Sequence, residues 1–75
     1  MSSEHPMLQT LTVNGTHVPA TGQTVRTVLV AHGVDPERPG IAIAMNGAIV
    51  PRVRWDSVQV QPGDRVEIVH ALAGG

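Results

Sequence analysis

Apolar positions fall in short runs whose spacing changes along the chain, and each change predicts a new element. Residues 8–13 alternate weakly and lead into Asn14-Gly15, a pair suited to the positive φ angles of a two-residue hairpin turn. Residues 16–19 read as the returning strand, and the Asn-Gly pair as simply a turn that carries no chemistry. After a break at 21–24, Val25, Val28 and Leu29 recur at helical spacing, with Thr24 as N-cap and Gly33 as left-handed stop. The β-branched residues here would also suit a strand, so spacing and caps decide for a helix. Residues 34–40, with Asp35-Pro36 and Pro39-Gly40, must be loop. Ile41, Ile43 and Met45 then lie on one side of a strand, facing the core, with Ala42 and Ala44 on the other. A second pair, Asn46-Gly47, turns the chain toward Ile49 and Val50, and Pro51 stops the ladder. Residues 51–61 read as an irregular connection carrying Trp55. Pro62-Gly63-Asp64 is a tight turn into a last strand, 66–71.

Hairpin, helix, short hairpin, crossover and final strand describe an α+β domain, a mixed sheet of about four to five strands packed on one main helix. This is the element order of a ubiquitin-like β-grasp. Residues 1–7 are polar and aperiodic and read as a loose extension, 8–71 as the domain, and 72–75 as a flexible tail. Seventy-five residues can enclose one core only. That core must be aliphatic, because Phe and Tyr are absent and Trp55 is the single aromatic residue. Trp55 is therefore expected as a core lid rather than a contact residue.

Composition removes most kinds of chemistry. The chain has no cysteine, which excludes a disulfide framework, a thiolate metal site and a cysteine nucleophile, so any sulfur must come from elsewhere. A formal charge of −1 argues against nucleic acid or anionic membrane as partner. No apolar run is long enough to span a bilayer, and the start lacks the order of a secretion signal, which predicts a cytoplasmic protein. His5, His17, His32 and His70 lack ligand spacing, so no metal site is expected. Glu4, Asp35, Glu37, Asp56, Asp64 and Glu67 sit singly, and no acid–base pair can be nominated. Ser57 has no evident partner, and the glycines form no phosphate loop. The expectation is a non-enzyme without a cofactor of its own.

Folding does not explain the end, Ala71-Leu72-Ala73-Gly74-Gly75. Two glycines at a given terminus arise by chance about one time in two hundred, so alone they fit a frayed end as well. Launched from the last strand of a β-grasp, they acquire a purpose: delivery of the C-terminal carboxylate to another protein's active site. Extended, residues 72–75 reach about 13 to 14 Å. Without Cβ atoms, Gly74 and Gly75 pass through a narrow channel. The carboxylate is ionised near neutral pH and can attack the α-phosphate of ATP to give an acyl adenylate. Attack by sulfur then leaves a thiocarboxylate. The ATP site must belong to a partner.

Val13-Asn14-Gly15, Thr24-Val25 through Leu29, Gly40 through Asn46-Gly47, Val50-Pro51-Arg52, Trp55, Gly63-Asp64, Val66-Glu67-Ile68-Val69 and the final Ala73-Gly74-Gly75 together resemble the ThiS-type sulfur carriers of thiamine biosynthesis, over residues 11–75. The resemblance implies that Gly75 is adenylated by an E1-like, ThiF-like enzyme using ATP. It is then converted to a thiocarboxylate with sulfur from a donor such as a cysteine desulfurase or rhodanese. The sulfur passes to thiazole synthase, a ThiG-like partner. Gly74 would be the thin neighbour of the modified residue, with Ala71, Leu72 and Ala73 as the guided tail. The extension at 1–7 and the lack of Phe depart from the family pattern and bear on packing rather than on the tail.

With Val66 and Ile68 facing the core, strand alternation turns Glu67, Val69 and Ala71 outward, next to Ala42 and Ala44 if the two strands are neighbours, as either a docking patch or an ordinary exposed sheet. Arg52 and Arg54 read as solvent charges, with a structural or partner hydrogen bond open for Arg52. Three alternatives stand beside the thiamine carrier: the sulfur carrier of molybdopterin synthesis, a ubiquitin-like modifier joined through Gly75 to lysines, and a β-grasp interaction module with an idle tail.

Overall fold

A computed structural model describes residues 9–70. The elements are β1 (Thr10–Val13), β2 (Thr16–Pro19), α1 (Val25–Ala31), β3 (Ile41–Met45), β4 (Ala48–Ile49), a 3₁₀ turn (Arg52–Arg54) and β5 (Arg65–His70). The expected extension at 1–7, with Glu4 and His5, the start of the first strand at Leu8, Ala71 and the tail Leu72, Ala73, Gly74 and Gly75 lie outside the described residues.

Five strands form one mixed sheet in the order β2-β1-β5-β3-β4, with α1 across one face, the ubiquitin-like β-grasp that the element order predicts. β1 and β5 run parallel in register Thr12↔Arg65 and Val13↔Val66. Parallel neighbours need a crossover, and everything between β1 and β5 serves as that crossover. The other pairings are antiparallel.

Helix α1 is only seven residues long, too short to stand alone. Its N-terminus is closed by reciprocal bonds: the Thr27 N–H donates to Thr24 Oγ1 at 3.2 Å and the Thr24 N–H to Thr27 Oγ1 at 2.8 Å. At the other end Gly33 takes φ of +76°. The Val34 N–H there reaches back to the Leu29 carbonyl, a Schellman closure. Between these caps Val25, Val28 and Leu29 are buried, which is what holds the helix to the sheet.

Leu11, Val13, Ile43 and Val66 meet those helix residues from the sheet, and Val50, Val60 and Trp55 close the side. Trp55 is the expected lid, 3% exposed, and its Nε1–H donates to the Val50 carbonyl at 3.0 Å. Arg52 is not a free solvent charge. Its guanidinium lies 4.4 Å from the Trp55 ring centroid and donates to the carbonyls of Pro36 and Arg38. The arginine thus ties the 34–40 loop to the 3₁₀ turn.

Two expectations need correction. The 51–61 connection is more ordered than predicted, containing the 3₁₀ turn and a bridge between Thr24 and Gln59. The apolar pattern misses this because backbone groups make the contacts. Nor is Asn14 simply a turn residue: β1 turns away from β5 after Val13, and the Asn14 side chain accepts the N–H of Ile68 at 2.8 Å, a donor that β1 no longer serves.

Candidate functional site

β5 sits at the centre of the sheet, and residue 71 follows directly from its last residue, His70. Val66 is buried and Ile68 half-buried against the core, whereas Glu67 and Val69 are exposed on the opposite face. Pairing with β3 sets Ala42 opposite Val69 and Ala44 opposite Glu67, the juxtaposition that alternation predicts. Directly opposed side chains lie about 4.5 to 5.5 Å apart at Cβ, so the four form one surface.

That surface extends further than expected. The Asn46-Gly47 turn sets Ala44 opposite Ile49, adding a second large exposed side chain, 69% exposed where Val69 is 55%, in the row of Ala44 and Glu67. Val69, Ala42, Ala44 and Ile49 make an apolar band across β5, β3 and β4, with Glu67 its charged member. Across β1 and β2 the same face is polar, where Thr10 Oγ1 and His17 Nδ1 lie 3.2 Å apart. Ile49 was legible in principle, because a two-residue turn fixes which residues oppose one another.

Both Asn-Gly turns grip β5. Asn46 holds the strand's beginning: its N–H donates to the Arg65 carbonyl at 2.7 Å and its Oδ1 accepts the Arg65 N–H at 2.8 Å. Its Nδ2 donates to Asp64 Oδ1 at 3.0 Å, and Asp64 Oδ2 accepts the Gln61 N–H at 2.7 Å. Asn14 holds the strand further along, donating its N–H to the Val66 carbonyl at 2.9 Å and accepting from Ile68. Both asparagines have left-handed φ angles, +50° and +54°, which Asn tolerates better than most residues.

His17, His32 and His70 are exposed and separate; His32 Nδ1 lies 3.0 Å from the Val28 carbonyl of its own helix. Among the described residues no group of three His, Asp or Glu side chains converges as a metal site. Ser57 donates to the nearby Arg54 carbonyl. A surface groove of about 280 Å³ beside β4 is lined by Met45, Ala48, Ile49, Val50, Pro51, Arg54 and Val58. Arg54 is its single charged side chain, a poor match for a nucleotide's phosphates. Among the described residues no helix is long and apolar enough to cross a membrane.

Comparison with known proteins bears directly on this arrangement. The model of the ThiS family matches residues 8–75. The sulfur carrier protein ThiS of Escherichia coli (strain K12) is 41% identical over 56 residues, covering 75% of this chain and 82% of that one. A thiazole synthase of Magnetococcus marinus is 34% identical over 59 residues, which are 79% of this chain but 18% of that protein. In structure, the crystallographic thiamine biosynthesis protein ThiS of Geobacter metallireducens superposes with a TM-score of 0.73 at 30% identity, covering 88% of this chain and 99% of that one. A solution structure of a thiamine biosynthesis protein from the same organism gives a TM-score of 0.69 at 32% identity, covering 88% and 87%. A central strand that runs to residue 70, an apolar band beside it and a family match extending through Gly75 agree on one conclusion: the chain belongs to the ThiS family, the sulfur carriers of thiamine biosynthesis.

Proposed function

We propose that the chain serves thiazole formation as a substrate rather than a catalyst, through the carboxylate of Gly75. A ThiF-like, E1-like enzyme binds the carrier and ATP; a Gly75 carboxylate oxygen attacks the α-phosphorus, and pyrophosphate leaves. A sulfide equivalent supplied through a cysteine desulfurase or rhodanese then attacks the acyl carbon and displaces AMP, leaving the thiocarboxylate. Thiazole synthase, the ThiG-like acceptor, takes that sulfur. Gly74 and Ala73 keep the end thin, and Leu72 gives the tail one apolar foothold. The carrier has no cofactor of its own, and the reading puts it in the cytoplasm with its enzymes.

The observation that supports this reading best is the family match running through Gly75, so the two glycines lie inside the matched span. The thiazole synthase relative adds to it, because a segment similar to this chain forms 18% of that longer protein. For docking, the band of Val69, Ala42, Ala44 and Ile49, with Glu67, is the surface beside the strand that leads into the tail. Burying it against an apolar counterpart contributes about 25 cal/mol per Å².

The test is mass spectrometry of the intact chain after incubation with a ThiF-like enzyme, ATP and a sulfur donor. The expected product has one carboxylate oxygen replaced by sulfur, and a chain lacking Gly75 is unchanged. An unmodified full-length chain in a reaction that charges the enzyme's own carrier would refute the reading.

A further inference from the structure

Beyond the tail and the apolar band, we infer that Asn14 is a positioning residue for the reaction at Gly75. Its side chain fixes the end of β5, the strand from which the tail departs. This rests on the carrier reading and concerns a residue 61 positions earlier in the chain.

Bonding on the two sides of β5 is unequal. Toward β3 the ladder runs from Met45↔Val66 to Ile41↔His70, the strand's last residue. Toward β1 it stops at Val13↔Val66, because β1 enters its hairpin turn at Asn14-Gly15. The next donor on that side, the N–H of Ile68, points past the end of the β1 backbone. Asn14 Oδ1 accepts it at 2.8 Å, two residues before His70. Past Val66, this bond supplies the hold on β5 from the β1 side, where the ladder itself no longer reaches.

Losing it leaves the strand's last residues held from the β3 side alone, free to tilt about that ladder. The end of β5, from which residue 71 follows, then samples several orientations, and the activating enzyme must select the competent one. That selection lowers apparent affinity by the fraction of carriers correctly aimed. Once the tail is seated, the reacting atoms are the same, so turnover at saturation does not change. A residue acting in this way therefore moves KM and leaves kcat alone.

Asn46 provides the internal control. It accepts the Arg65 N–H in the same manner, but at the strand's far end, and it has further bonds to Asp64. Both asparagines occupy left-handed backbone, which glycine adopts freely, so Asn14→Gly and Asn46→Gly keep their turns while removing the acceptor.

The experiment measures adenylation of the full chain by a ThiF-like enzyme, as pyrophosphate release against carrier concentration. Hydrogen exchange at the Ile68 amide and thermal unfolding are followed in parallel. Asn14→Gly should raise KM about three- to tenfold, the worth of one such hydrogen bond, with kcat within about twofold and faster Ile68 exchange. Asn14→Asp, which retains the acceptor, should restore KM and protection. Asn14→Ser, too short to reach the same N–H, should repeat the glycine result. Asn46→Gly should lower the melting temperature at least as far without raising KM.

An unchanged KM in Asn14→Gly despite faster Ile68 exchange overturns the inference. So does an equal KM rise in Asn46→Gly, which would mean that strand stability in general is at work. A wild-type chain that releases no pyrophosphate overturns the carrier reading, and this inference with it.

Discussion

Replacing Trp55 by Ala tests whether an otherwise aliphatic core depends on its one aromatic ring. The ring is 3% exposed, its N–H is bonded to the buried Val50 carbonyl, and Arg52 stacks on it. Emptying a buried Trp site typically costs about 3 to 5 kcal/mol. Loss of the cation–π contact adds about 0.5 to 1 kcal/mol. A domain of this length holds only about 4 to 11 kcal/mol in total, so Trp55→Ala should consume at least about a third of its stability. Trp55→Phe separates the contributions, because a ring still fills the site while the Val50 carbonyl loses its donor, at about 1 to 3 kcal/mol. Urea unfolding followed by far-ultraviolet circular dichroism is the suitable assay, since both variants lose the only fluorophore of its kind. An unfolding free energy for Trp55→Ala within about 1 kcal/mol of wild type, the ordinary range of a point mutation, would refute the lid.

Other expectations follow from the same contacts. Arg52→Lys loses the forked reach to the Pro36 and Arg38 carbonyls and should cost about 1 to 2 kcal/mol, read as a lower melting temperature. Thr24→Ala removes the N-cap and should cost about 1 kcal/mol, visible in the same melt. Val69→Asp and Ile49→Asp change exposed side chains, so melting should hold within a few degrees. Binding to the activating enzyme, measured calorimetrically, should weaken at least tenfold if these residues anchor the docked face; unchanged binding would place the enzyme elsewhere on the carrier.

Element order was legible because the chain marks its own boundaries. The two Asn-Gly pairs, the Thr24 cap and the Gly33 stop each adopt the backbone that their residue types favour. The outward facing of Val69 and Ala42 followed from strand alternation, and their pairing from β5 and β3 being neighbours. Less was visible where a side chain meets distant backbone. Nothing near Arg52 in sequence announces carbonyls 14 and 16 positions away, and nothing near Asn14 announces an amide 54 positions away. Such bonds depend on which strands become neighbours, and a turn signal is satisfied by its local role before the remote one can be guessed. Ile49 lies between these cases: the turn dictated its register, but its place in the band required knowing that β4 continues the sheet.

Placing β5 between a parallel and an antiparallel neighbour also has a mechanical consequence. Were the C-terminal end drawn along the strand axis, as the proposed function requires, the load would fall on both adjoining ladders in shear. Bonds loaded in that way must break together rather than unzip one after another. A pull on that end would thus meet more resistance from the body of the domain than an edge strand could offer.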